Sequence, residues 1–463
     1  MIIVLSLALG LLFDVMFYKK APGISFPIYT AAVIACMLFA SAKGKDAPGR
    51  RPEFLALPFL FSLMVFVRTS AFLTFMNIFT TIYLLMLYVE MSKGYRIRDY
   101  MIGRYVAGVF VPLGYFSQSA APFKEVESKM FARVLKGLLI SIPVLALFTL
   151  LFSSADMVFQ KRVDYILSKI SVDFPARAII IFIITMLFCG VLAIVHGERR
   201  KVEKDEAKRH NLGDVEILVL LGALNALFVF FIVLQFTYLF GGAKNLAAFG
   251  ITYSEYARKG FFELLTVAVI SLMIIWYCEK HITRAGKGHG IFFKCLGALL
   301  AVQVILIMVS AFKRLALYED AFGFTTQRFY SHSFVIFLAV VFILLLIKIL
   351  TDGEDSVFAF RGFVAFIIYL AVLNAMNPDA FIARKNIDRF ANTGKLDTIY
   401  LGRLSDDAVP EITVRARSMS VMTRSEILKS LKIRMWAPEY MDWQSFNLAR
   451  MKARNILLPD VCR

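Results

Sequence analysis

Charged residues are scarce in this chain, at 19% of 463 positions, where an ordinary soluble domain has roughly 25%. That shortage excludes a protein kept in solution by a polar shell, and the 59% of hydrophobic residues shows what takes its place. Cysteine is scarce too. The five, Cys36, Cys189, Cys278, Cys295 and Cys462, have no C-x-x-C spacing for metal or redox work. Four of them lie in or beside apolar runs and read as small apolar residues. The five histidines are scattered, and His281 and His289 in "HITRAGKGHG" read as a solvated loop without a carboxylate or thiol at ligand spacing. No metal and no cofactor is expected. A nucleophile–base pair, a phosphate-binding loop, an internal repeat and a low-complexity tract are all missing as well.

What the chain does have is long apolar runs. Stretches at about 2–18, 24–42, 53–67, 70–90, 133–153, 176–195, 215–240, 260–279, 291–312, 331–350 and 359–377 approach or reach the roughly 20 residues that carry a helix across a hydrocarbon core. The fold class is therefore all-α, a polytopic α-helical membrane protein with about eleven transmembrane helices and a small C-terminal helical domain. The opening "MIIVLSLALGLLFDVMFYKK" has no basic segment before its apolar run and no small-x-small cleavage site, so it reads as the first span. The stretch "YMIGRYVAGVFVPLGYF", 100–116, carries Arg104, Pro112 and Gly114, and is expected to lie along the membrane surface. These boundaries divide the chain into 1–130 (four spans plus the interfacial segment), 131–378 (a seven-span core) and 379–463 (the C-terminal domain).

The formal net charge of +18 would suggest nucleic acid in a soluble protein. Here most Lys and Arg sit in short loops between apolar runs, so nucleic acid is not the expected partner; the lipid bilayer is. Loops on the N-terminal side of an eleven-span chain hold about 19 Lys and Arg, against about 12 in the other set. This places the N-terminus in the cytoplasm and the C-terminal segment outside it, in a multi-pass protein of the cell membrane. A crossing at 100–116 would bring the sums to about 16 and 14 and remove the bias. Within the C-terminal segment, Thr423 and Glu426 have capping-box spacing, Ser405 precedes acids and an early proline, and Asp442 stands at an N-cap position.

Charges at span edges are the candidates for a site. In "TYSEYARKGFFELL" Thr252 and Glu255 also have capping-box spacing, and Arg258 and Lys259 follow at ion-pair distance along a helix. Glu263 falls a turn deeper, and an ionisable group there is expected to face the protein interior, with Arg328 or Arg314 as partner. The stretches 153–163, 313–330 and 377–390 fall on the same expected side. They contribute Asp156, Arg314, Glu319, Arg328, Asp379 and Arg384, with Gly323 ending one helix and Thr325 capping the next. Glu255, Arg258 and Glu263 complete a mixed-charge rim suited to a polar or anionic ligand such as an anionic lipid or an envelope polymer.

The same stretches, "TYSEYARKGFFEL", "SSADMVF", "YEDAFGFTTQR", "NPDAFIARKNIDR" and "GKLDTIYLGRLSDDAVP", resemble the recurring motifs of a bacterial multi-pass membrane family, domain of unknown function four-one-seven-three, with its close relative four-one-five-three. The resemblance covers roughly 130–460 and implies membrane topology without an activity. A non-enzymatic binding or transport protein is favoured, with Asn77, Asn225, Gln235 and Asn374 able to line a path. One alternative is an intramembrane enzyme acting on a lipid-linked substrate, similar in span number to polytopic glycosyltransferases, whose long acidic first external loop is "KKAPG" here, without an acid. Another is a sensor or scaffold whose C-terminal domain meets a protein partner.

Overall fold

The computed structural model describes residues 1–43, 52–92, 96–107, 115, 173–197, 214–239, 261–282, 287–432 and 442–457. The described residues are helical and contain no strand. Membrane-length helices are α2 (Ser25–Ala42), α4 (Ala71–Ser92), α6 (Asp173–His196), α7 (Asp214–Leu239), α8 (Phe261–His281), α9 (Lys287–Phe322), α10 (Thr326–Thr351) and α11 (Asp355–Met376). These eight are long and apolar enough to cross a bilayer.

Two further apolar helices are shorter: α1 (Ile2–Phe17) and the 52–67 stretch, which is a 3₁₀ turn running into α3 (Ala56–Val67). The expected span at 133–153 lies outside the described residues. So does most of 106–116; before it, a 3₁₀ turn at Ile97–Asp99 leads to the short α5 (Ile102–Ala107), and Arg104 lies 5.3 Å from the Tyr100 ring. Helix α9 outruns its apolar stretch in both directions. Its 36 residues give a length of roughly 54 Å, well over the roughly 30 Å of a hydrocarbon core.

Lipid tails are as apolar as leucine, so burial from water does not drive these helices together; close packing and interhelical hydrogen bonds do. Helices α1–α4 and α6 form one group, and α7–α10 a second centred on α9. Helix α11 touches both, through α10 and α4. At the α4–α11 contact the buried Asn77 and Asn374 exchange amide hydrogen bonds of 2.9 and 2.8 Å. At one end, Arg177 of α6 donates twice to the buried Asp14 of α1, and Asp173 accepts from Tyr18 (3.0 Å) and Lys19 (2.6 Å). At the opposite end the buried Lys348 of α10 bridges Glu279 of α8 and Asp355 of α11.

The C-terminal residues form a layer of short helices, α12 (Pro378–Thr393), α13 (Thr398–Arg403), α14 (Val409–Ala416), α15 (Val421–Lys432) and α16 (Leu448–Leu457). Three caps differ from expectation. Ser405, expected as an N-cap, precedes only a 3₁₀ turn, and its hydroxyl donates to Asp407 instead of accepting a cap bond, so α14 follows Ala408. Helix α15 begins before Thr423, whose N–H donates to Ser420 Oγ, so Ser420 is the cap. Asp442 precedes only a 3₁₀ turn; α16 is capped by Asn447, which accepts from Ala449 N–H at 2.9 Å. Asn447 also donates to the Val65 and Arg68 carbonyls at the end of α3, and this tertiary role fixes where the helix starts.

Candidate functional site

The C-terminal layer covers the bundle end where α3, α9 and α11 finish and α2, α4 and α10 begin. Helix α9 stops at Gly323, whose φ of +85° is the left-handed conformation that glycine adopts without strain. Thr325 then accepts from the Arg328 N–H and starts α10, as the sequence indicated. The corner between them is gripped from outside. Asn386 of α12 accepts from Phe324 N–H (2.7 Å) and donates to the Phe324 carbonyl (2.8 Å). Arg389 donates to the last carbonyls of α9, at Asp320 (2.9 Å) and Ala321 (2.6 Å), where a helix C-terminus favours a cation. The Tyr400 hydroxyl receives the Thr326 N–H at 2.7 Å, and burial pushes this phenol above its ordinary range, so it serves as a neutral hydrogen-bonding group.

A second hub joins the layer to the α3–α4 turn. Asp407, buried, accepts at Oδ2 from Thr69 N–H (2.7 Å), Ser70 N–H (3.1 Å), Thr69 Oγ1 (3.1 Å) and Ser405 Oγ (3.3 Å). Its other oxygen lies 3.4 Å from Arg68 Nη1, while Arg68 also donates to the Asn374 carbonyl at 3.0 and 2.6 Å. Asp379 is buried in the first turn of α12 and accepts from Ser405 N–H at 3.1 Å.

The expected rim is only partly assembled. Asp156, Glu255 and Arg258 lie outside the described residues. Glu263 is exposed on the surface of α8 and pairs with neither Arg328 nor Arg314, which corrects the expectation of an interior ion pair. Arg328 is turned instead to its own corner, donating to the Gly323 carbonyl and lying 4.0 Å from the Tyr318 ring. Arg314 is half-buried on α9. Glu319 is buried, with one carboxyl oxygen 3.0 Å from His332 Nδ1 and the other making no hydrogen bond. His332 Nε2 lies 3.1 Å from the Phe312 carbonyl. Arg384 is exposed and lies 5.7 Å from the Phe381 ring. His281 belongs to the last turn of α8, its ring against Tyr277, so the glycine-rich loop is shorter than its composition suggests.

Glu319, Arg328 and Asp379 thus brace the α9–α10–α12 corner. The remaining acids of the layer are largely committed: Asp388 and Glu411 to Arg415, Asp406 to Arg450, and Asp397 to the cap of α13. Glu426 and Asp442 are the exposed exceptions among the described residues. Arg384, Lys385, Arg403, Arg417, Lys429 and Lys452 stay exposed with no ion pair among the described residues. Sequence reasoning missed Arg68, His332, Asn386, Tyr400 and Asp407, whose only local signals are a polar turn between two apolar runs and a paired acid after a serine. No group of three or more His, Cys, Asp or Glu side chains among the described residues could hold a metal ion.

Comparison with curated proteins and with solved structures gives no match. A family model does match, over residues 2–414, and it is the relative rather than the first family suggested by the motifs. The chain belongs to the family described as Domain of unknown function (DUF4153).

Proposed function

We propose that the chain is a non-enzymatic bacterial envelope protein that binds a polar or anionic ligand on an extracytoplasmic C-terminal layer. One observation carries this reading: the acids of that layer are mostly spent on internal bonds, whereas Arg384, Lys385, Arg403, Arg417, Lys429 and Lys452 are exposed with no ion pair among the described residues. A surface built in this way attracts anions by its field and retains them through many weak contacts. Anionic lipid headgroups and polyanionic envelope polymers share the chemistry it recognises. The layer corresponds to the domain at 379–463, beyond the membrane regions 1–130 and 131–378. The excess of Lys and Arg in the loops of the opposite set supports its extracytoplasmic side.

The test is binding of a fluorescent polyphosphate to protein in neutral-lipid nanodiscs, repeated with phosphatidylglycerol discs as competitor. A basic residue near an anionic surface contributes up to about 1 kcal/mol, so replacing Arg384, Lys385, Arg403 and Arg417 with glutamine should weaken binding by at least about tenfold. Unchanged affinity in that variant, or affinity indifferent to salt, refutes the reading. Labelling of Ser418→Cys by an impermeant reagent in spheroplasts only after lysis would refute the side.

A further inference from the structure

Four side chains on the α7–α9 seam are buried within the apolar bundle with polar atoms that make no hydrogen bond. They are Asn225 (Oδ1) and Gln235 (Nε2) on α7, and Gln303 (both amide atoms) and Ser310 (Oγ) on α9. Each side chain is at least nine-tenths buried, with exposures of 5%, 6%, 3% and 5%. Their alignment follows from helix geometry. Asn225 donates across the seam to the Leu296 carbonyl at 3.0 Å, which fixes the register of the two helices. Gln303 and Ser310 follow Leu296 by seven and fourteen residues, so they stay on the face turned to α7, roughly 10 and 21 Å further along. Gln235 follows Asn225 by ten residues on the buried stripe of α7, roughly 15 Å along and so between Gln303 and Ser310.

This requires α7 and α9 to run the same way, and connectivity provides it. Helix α6 ends beside Ala40 near the end of α2, and α9 begins beside Asp352 at the end of α10, so both α7 and α9 start at the end opposite the C-terminal layer. The other two asparagines once grouped with these residues behave differently: Asn77 and Asn374 satisfy each other.

An unsatisfied polar group in hydrocarbon costs several kcal/mol, and a row of them does not persist dry. We infer that the α7–α9 seam is a binding row for a neutral occupant that both donates and accepts hydrogen bonds. Amide and hydroxyl groups line it, without a charge among the four, so ions are poorly served there. Water and small hydroxylated solutes share the required chemistry. The row covers roughly 21 Å of a hydrocarbon layer of roughly 30 Å, so its occupants form a file along the membrane normal rather than a single site.

The experiment uses the full chain with its five cysteines replaced by alanine, reconstituted in liposomes, with Ser310→Cys, Gln303→Cys or, as control, Leu306→Cys, whose native leucine is 44% exposed on the outside of α9. A small water-soluble methanethiosulfonate reacts with the thiolate, which needs water to form. A dry thiol raised by one pKa unit reacts about tenfold more slowly, so the seam cysteines should be labelled at least about tenfold faster than the control. Slowing by glycerol but not by sucrose at equal osmolality would identify a hydroxylated solute as the occupant, and indifference to both would identify water. Equal rates at seam and control positions overturn the inference. Thermal unfolding of Gln303→Leu gives an independent check: a raised Tm would show a dry, unsatisfied amide and overturn it, while an unchanged or lowered Tm upholds it.

Discussion

Replacing Asp407 should loosen the C-terminal layer from the membrane bundle, and the structure indicates by how much. Its carboxylate receives two backbone N–H groups and two hydroxyls on one oxygen and faces the Arg68 guanidinium with the other. Alanine removes all of these and leaves the Thr69 and Ser70 donors facing empty space. Breaking a buried pair from one side costs about 3–5 kcal/mol. The Arg68 side chain keeps 17% exposure and two bonds to the Asn374 carbonyl, so Asp407→Ala should fall at the lower end, about 3 kcal/mol. Asparagine can keep the four donors on its carbonyl oxygen but turns an amide NH₂ toward Arg68, so Asp407→Asn should lose about 1–2 kcal/mol. Denaturant unfolding in detergent measures the loss, and limited proteolysis reports release of the layer. Combining Asp407→Ala with Arg68→Met should show a coupling of about 1–3 kcal/mol, because the second change removes the cation that the first strands. A loss under about 0.5 kcal/mol for Asp407→Ala, or strict additivity in the cycle, would refute the role given to this hub.

Two further outcomes are expected. Lys348→Met should strand Glu279 and Asp355 and lower stability by about 3 kcal/mol in detergent melts, whereas Lys294→Met, which breaks the exposed pair with Asp352, should cost under about 1 kcal/mol; similar losses in the two variants would contradict the burial argument. Gly23→Ala would set a Cβ 2.5 Å from the Phe446 carbonyl oxygen and 2.6 Å from the Ser445 carbonyl carbon. Both neighbours are backbone, so this variant should expose the 443–446 turn to protease while leaving helical circular dichroism unchanged, and wild-type resistance would show that the close approach is dispensable.

The all-helical membrane fold was readable because run length is a local property, and so were the Gly323 stop and the Thr325 cap. Where two residues of capping type lie close together, local rules do not choose between them. Ser420 precedes Thr423, and Asn447 follows Asp442; at the second site the choice is made by hydrogen bonds to α3, which no window of sequence contains. Glu263 shows a related limit, since apolar neighbours along the chain say nothing about whether a helical position faces inward or outward. Arg68 and Asp407 are 339 residues apart, and neither is unusual in its own segment. Of the candidate rim, Arg314, Glu319, Arg328, Asp379 and Arg384 do lie toward the end that the C-terminal layer covers, but their partners were not legible.

The turn at 443–447 bonds to the earliest part of the chain: Ile24 N–H donates to the Phe446 carbonyl (2.8 Å), Ser445 Oγ to Ala21 (2.9 Å) and Gln444 Nε2 to Val15 (3.3 Å). These contacts span separations of up to 429 residues. At a synthesis rate of roughly 5–20 residues per second, the first two helices wait roughly 20–85 seconds for the segment that closes their connecting turn. During that interval the polar backbone of 18–24 must be served by water, headgroups or a chaperone, and a ribosome that stalls late, shortly before residue 443, releases a chain with nearly every helix made and its first turn still open.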